Sequence, residues 1–256
     1  MPMRIEIGVR PARLRPWATS VLGDDGMTRG SYGQFCPVAM ASEILCTRWT
    51  LVLIREMIAG STRFGDLRRG VPRMSPTLLS QRLKDLEAAG IVSRLPSERE
   101  QGVHEYRLTE AGRDLKPVIE AFGLWGQKWV ETEATLENLD VSLLMWDMRR
   151  NINPAPLPPH RTVVQFRYPD LPINRQNWWL IVDPEARVDL CATDPGFDVD
   201  LWITTDLRTM TAIWLGLIPV GDAGSRLRID GDPALARTIT KWMGLSTFAG
   251  QRKLIG

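Results

Sequence analysis

The chain has 256 residues, 44% of them hydrophobic, and its 32 Lys and Arg against 30 Asp and Glu leave a formal net charge of +2. That length accommodates two cored domains, and so balanced a charge argues against a general polyanion-coating role. No apolar run approaches the roughly 20 residues of a membrane span, and three scattered cysteines and two histidines offer neither a disulfide framework nor a His-based metal pattern. The composition thus predicts no cofactor, no metal, no membrane partner and a reducing cytoplasm.

Residues 1–33 scatter Arg4, Arg10, Arg13 and Arg15 among Pro and Gly without a period, which predicts a disordered arm. Met27, just ahead of the first patterned segment, is an alternative start. Two helices are predicted next, Val38–Leu45 and Arg48–Ile58, with Thr47 as N-cap of the second and Cys46 in the core. A short helix from Arg63, a turn and a further helix follow. In the last of these Ser75 is placed as N-cap, and Pro76 sits at the first helical position, where a missing N–H costs nothing. Leu79, Leu83 and Leu86 form its inward stripe, Thr77, Gln81 and Lys84 share the opposite face, and Gly90 suits the left-handed residue beyond its end.

Basic charge gathers here. Between Ser61 and Arg94 seven basic residues (Arg63, Arg68, Arg69, Arg73, Arg82, Lys84, Arg94) face three acids (Asp66, Asp85, Glu87), whereas from Arg161 onward eleven of each cancel. Strands Ile91–Leu95 and Glu105–Leu108, joined through Pro96–Gly102, complete a helix-turn-helix with a hairpin wing. A long helix capped by Thr109 then carries an apolar stripe of Leu115, Val118, Ile119, Phe122, Trp125 and Trp129, with Pro117 bending it or marking its restart. The stripe exceeds what one small domain covers, so dimerisation is its expected use, packing on the following domain being the other.

A helix over Val141–Arg150 leads into the proline-rich Asn151–Pro159, expected to be a stiff linker. The pattern then changes to strands, Thr162–Tyr168, Trp178–Asp183, Arg187–Ala192 and Val199–Thr204. A helix Leu207–Leu215 capped by Asp206, a strand Arg226–Ile229 and a last helix started by Asp232 and Pro233 follow. The fold class is therefore two domains, a mainly α winged helix-turn-helix over 34–135 and an α+β domain over 160–250, connected by 136–159.

Cys36-Pro37-Val38, Arg48-Trp49-Thr50-Leu51, Phe64-Gly65-Asp66-Leu67-Arg68, Met74-Ser75-Pro76, Leu79-Ser80-Gln81-Arg82-Leu83, Glu87-Ala88-Ala89-Gly90-Ile91-Val92 and Tyr106-Arg107-Leu108-Thr109-Glu110-Ala111-Gly112 stand in register. Through them, Phe35 to Trp129 resembles the HxlR-type transcriptional regulators, winged-helix relatives of the MarR group. The resemblance implies a homodimeric bacterial regulator that binds a pseudo-palindromic operator in double-stranded DNA. Chemistry assigns Thr77, Gln81 and Lys84 to base edges, Gln suiting adenine and Lys guanine, and Arg73, Ser75 and Arg82 to phosphates, with Ser80 a further DNA-binding candidate. In the wing Arg99 is the clear phosphate candidate, with Glu98 and Glu100 opposing it. Some family members sense oxidants or electrophiles at the place of Cys36, so the thiol is a redox candidate as well as a packing residue.

From His160 to Ala249 the segments Trp178-Trp179-Leu180-Ile181-Val182, Val188-Asp189-Leu190-Cys191, Asp194-Pro195-Gly196, Val199-Asp200-Leu201 and Gly231-Asp232 resemble the sterol carrier protein-like fold. That resemblance implies an apolar tunnel between sheet and helices, for which Trp178, Trp202, Met210, Ile213, Trp214, Leu217 and Trp242 are candidate lining residues, or simply core. The leading expectation is a homodimeric DNA-binding regulator controlled by a hydrophobic small molecule. The alternatives are a redox regulator acting through Cys36, and a lipid carrier with a vestigial DNA domain. No nucleophile–base set, phosphate loop or metal cluster supports an enzyme.

Overall fold

The computed structural model describes residues 31–98, 100–131, 136–251 and 254, so residues 1–30 of the expected arm, with Met27 and the arginines named above, lie outside the described residues. The chain divides into two compact units with the border after Glu120.

In the first unit the order is α1 (Pro37–Leu45), α2 (Thr50–Ile58), α3 (Phe64–Gly70), α4 (Pro76–Ala88), β1 (Val92–Pro96), β2 (His104–Leu108), α5 (Glu110–Arg113) and the first turn of α6 (Lys116–Trp129). Leu53, Ile54, Leu67, Leu79, Leu83, Leu86, Ile91 and Ile119 make one core. Two sequence expectations fail at the α1–α2 turn. Cys46 is exposed, because it follows the last turn of α1 as its C-cap. Thr47 does not cap α2; the chain bends by 83° between the helices. The residue in the N-cap position is Trp49, whose φ of 79° lies in the left-handed region. Thr47 contributes only its carbonyl, which accepts from the Thr50 amide at 3.0 Å.

At the other end of α4, Gly90 takes φ 74°, and the Ile91 and Gly90 amides donate to the carbonyls of Leu86 (2.9 Å) and Glu87 (3.0 Å). This is the paired closure that only a left-handed residue permits at low cost. The wing strands pair antiparallel with Val92 opposite Leu108. Thr109 caps as expected, its Oγ1 accepting from the Gly112 amide at 3.1 Å and donating to the Gly90 carbonyl at 2.7 Å. The helix it starts ends at Arg113, however, and a second one begins at Lys116. Pro117 marks that restart, since it has no N–H to give to a continuing helix.

The second unit holds the rest of α6, α7 (Val141–Asn151), a sheet of β3 (Thr162–Arg167), β4 (Asn177–Val182), β5 (Val188–Cys191), β6 (Leu201–Thr205) and β7 (Leu227–Gly231), and α8 (Leu207–Trp214), α9 (Pro233–Arg237) and α10 (Ile239–Trp242). The strand order is β5-β4-β3-β6-β7, with β3 and β6 parallel and the other pairs antiparallel. Strand alternation sends Val164, Phe166, Leu180, Leu201 and Ile203 to a core shared with Met145, Met148, Met210, Ile213 and Trp242. Val163, Trp179 and Ile181 form a smaller cluster from the alternate positions. Asp206 and Asp232 cap their helices as expected, accepting from Thr209 (2.7 Å) and Ala234 (2.6 Å).

Residues 136–159 do not stand apart as a connection. Val141, Leu144, Met145, Met148 and Ile152 are buried in the core of the second unit. The Asn153 amide donates to the Trp242 carbonyl at 2.8 Å. The spacing 141, 144/145, 148, 152 is that of a helix face, and it needs the sheet to cover it.

Candidate nucleic-acid interface

α4 is held from both ends and from one side. Ser75 Oγ accepts from the Leu78 amide at 3.2 Å, Gly90 closes the far end, and Leu79, Leu83 and Leu86 are buried. What remains outward is the stripe Thr77, Gln81 and Lys84, all exposed, with Arg73 and Ser75 exposed in the turn before it. Ser80, half-buried, sits at the edge of a cleft of about 480 Å³ lined by Arg63, Phe64, Asp66, Arg94, His104 and Tyr106.

Arg82 departs from its expected role. Its side chain is 11% exposed; Nη1 donates to Asp85 Oδ2 at 2.7 Å and Nε to the Arg48 carbonyl at 3.3 Å. A guanidinium spent on two internal acceptors is not free to grip a phosphate. Arg99 lies outside the described residues. Of the two acids expected to oppose it, Glu100 is paired with Arg63 at 2.9 Å, so its charge is locally offset. Sequence reasoning did not single out Arg94 and His104, both exposed at the cleft. For His104 the available signal was strand alternation with the buried Glu105 beside it, and for Arg94 its place in the basic run that starts at Ser61.

Two buried carboxylates brace the frame. Glu56, fully buried, accepts from Ser61 Oγ at 2.6 Å and lies 3.3 Å from the Arg55 guanidinium. Glu105, at the wing base, accepts from Arg107 (2.8 and 3.2 Å) and from Ser97 Oγ (3.0 Å). The Arg107 bond, then the Ser97 bond, hold its carboxyl below the ordinary carboxylate range.

Cys36 is the half-buried residue in the N-cap position of α1. The backbone N–H groups of Ala39, then of Val38, at the start of α1 pull its thiol pKa down, although the side chain makes no capping hydrogen bond. On α6 the stripe divides: Ile119 is buried, whereas Val118, Phe122, Trp125 and Trp129 are exposed. The opposite side of this helix is packed. A Cβ at Gly123 would overlap the Phe248 ring, and Gln127 Nε2 donates to the Leu215 carbonyl at 3.1 Å.

The seven candidate ligand residues are not all brought together. Trp178, Met210, Ile213, Trp214 and Trp242 belong to the core of the second unit. There the two indoles of Trp178 and Trp242 donate to the carbonyls of Arg175 (3.0 Å) and Leu235 (2.9 Å). Trp202 lies between Leu201 and Ile203 on β6 and so faces away from that core. Arg167 stands 5.7 Å over its ring. Leu217 is half-buried outside the cluster, which its neighbours Leu215 and Ile218 join instead. Among the described residues there is no group of three or more His, Cys, Asp or Glu that could hold a metal ion, and no single helix long and apolar enough to cross a membrane.

Comparison with known proteins finds similarity over the winged helix-turn-helix and α6. Residues 44–134 match the model of the HxlR-like helix-turn-helix family. An uncharacterized HTH-type transcriptional regulator of Mycobacterium tuberculosis (strain ATCC 25618 / H37Rv) is 45% identical over 95 residues, 36% of this chain and 58% of that protein. The chain therefore spans little more than half of that relative. The uncharacterized HTH-type transcriptional regulator YvaP of Bacillus subtilis (strain 168) is 32% identical over 99 residues, 38% of this chain and 92% of YvaP. Among solved structures, the redox regulator HypR in its reduced form is 35% identical, with 36% of this chain and 91% of that chain covered and a TM-score of 0.34. The two sequence relatives are named as transcriptional regulators rather than enzymes.

Proposed function

Because the chain belongs to the HxlR-like helix-turn-helix family, we propose that it is a cytoplasmic, homodimeric regulator of transcription that reads double-stranded DNA with α4. The observation that carries this reading is the outward stripe Thr77, Gln81 and Lys84, exposed on a helix whose other face is locked into the core. A helix so presented fits the major groove, where Gln and Lys side chains discriminate bases, with Arg73 as a phosphate contact. The exposed Val118, Phe122, Trp125 and Trp129 supply the self-association that a paired operator needs. The second unit is assigned a sterol carrier protein-like fold that takes a hydrophobic effector among its core aromatic and Met side chains. The test is binding to duplex DNA from its own promoter. Gln81→Ala and Lys84→Ala are each expected to weaken it by about tenfold, a bidentate base contact being worth about 1–3 kcal/mol. Unchanged affinity in both variants refutes the assignment.

A second reading rests on Cys36. A thiol whose pKa is pulled down by two backbone amides carries more of the nucleophilic thiolate at neutral pH. Release of DNA by an electrophile such as diamide, abolished in Cys36→Ser, is the expected result; release that persists in that variant removes Cys36 as the sensor.

A further inference from the structure

On the outward side of α4, Gln81 is not free. Its Nε2 donates to Asp85 Oδ1 at 2.8 Å, one helical turn on. The other oxygen of the same carboxylate, Oδ2, accepts from Arg82 Nη1 at 2.7 Å, and Arg82 Nε is anchored on the Arg48 carbonyl at 3.3 Å. That carbonyl immediately precedes Trp49, the non-glycine residue held at φ 79°. The chain of contacts runs from the turn that fixes α2, through a nearly buried guanidinium and a shared carboxylate, to the amide of the central exposed residue on α4.

From this arrangement we infer that Asp85 and Arg82 are positioning residues that fix which edge of the Gln81 amide meets a base, and so set the base preference of α4. The inference rests on the reading of α4 as the DNA-reading helix. A free glutamine amide can turn over, exchanging its oxygen and nitrogen, and thereby satisfy different donor–acceptor patterns in the major groove. A carboxylate accepts only, so Asp85 holds the nitrogen toward itself and forbids the turned-over arrangement. The remaining N–H and the carbonyl oxygen of Gln81 are left in one order, the order that adenine's N7 acceptor and N6 donor require. Arg82 neutralises the carboxylate, which would otherwise repel phosphates beside the groove. Its second bond, to Arg48, keeps it from swinging out to a phosphate itself.

The contact has a signature that mere support of the helix does not. Loss of Asp85 removes a negative charge and releases Arg82, so binding to arbitrary DNA should hold or rise while discrimination falls. The experiment is selection of bound sequences from a randomised duplex library by the full chain, followed by affinities for the winning duplex and for single-base changes in it. Wild type is expected to enrich a sequence with an adenine preference at one position per half-site. In Asp85→Ala that preference is expected to fall by about tenfold, with the other positions kept and non-specific affinity unchanged or higher. Gln81→Ala should lose preference at the same position, and the double variant should lose no more than either alone, a readout that a folding defect does not imitate. Arg82→Lys keeps the charge but not the fork that spans Asp85 and Arg48, and is expected to broaden the same position partially. If Asp85→Ala selects the wild-type sequence with undiminished preference, or loses preference uniformly across all positions, the positioning role is overturned while the DNA-reading role stands. If wild type enriches no sequence, the reading of α4 falls, and this inference with it.

Discussion

Gly70, the last residue of α3, lies against the buried Glu56, where a Cβ would overlap the carboxylate. Glu56 cannot yield, because its oxygens are committed to Ser61 and Arg55 inside the core, and displacing a buried charge from its partners is costly. Gly70→Ala should therefore cost about 1–3 kcal/mol of stability, the usual range for overpacking, read from urea unfolding midpoints. Gly65 in the same helix has no neighbouring atom within reach of an added Cβ. Gly65→Ala is the matched control and should be neutral or stabilising by up to about 1 kcal/mol. Equal losses in the two variants would show that packing on Glu56 is not the cause.

Elements whose signals are local were legible, and those decided by distant partners were not. The cap, first-position proline, buried stripe and closing glycine of α4 are all consecutive in sequence, and α4 forms where they indicate. Asp206 and Asp232 are read the same way. The left-handed Trp49 was not legible, since an aromatic residue is a poor prior for positive φ. The fate of Arg82 was half legible: Asp85 three residues on is a visible partner, but the Arg48 carbonyl is 34 positions away. For the candidate ligand residues, composition named aromatic and Met side chains correctly as interior-seeking. Trp202 was assigned without regard to strand parity, which turns it to the other face. The proline-rich stretch after α7 read as a spacer because polar punctuation hides the anchoring bonds of Asn153.

At the scale of the whole molecule, the proposed pairing of two chains depends on α6. Its exposed face presents Trp125 at 60% and Phe122 at 63% exposure, while the face bearing Gly123 and Gln127 is occupied within the second unit. A charge placed on the exposed face leaves the packing at Gly123 and Gln127 in place but cannot be buried between copies without a large desolvation cost. Trp125→Glu should leave the unfolding midpoint near that of wild type and halve the mass measured by light scattering at micromolar concentration. A wild type that runs as a monomer at that concentration, or a variant that remains a dimer, refutes α6 as the interface.

The central pair of the five-stranded sheet also has a kinetic consequence. β3 joins β6 in parallel, with Val164 opposite Leu201, 37 positions later in the chain (201 − 164). The β1–β2 hairpin of the first unit, by contrast, closes at once between neighbours. Loop-closure entropy must be met before such a distant pairing is rewarded. During synthesis the first unit can thus complete its core while the apolar faces of α7, β3 and β4 still await β6. This is the interval in which the second half of the chain is open to wrong partners, and its stickiness is set by when residue 201 arrives rather than by anything in the finished fold.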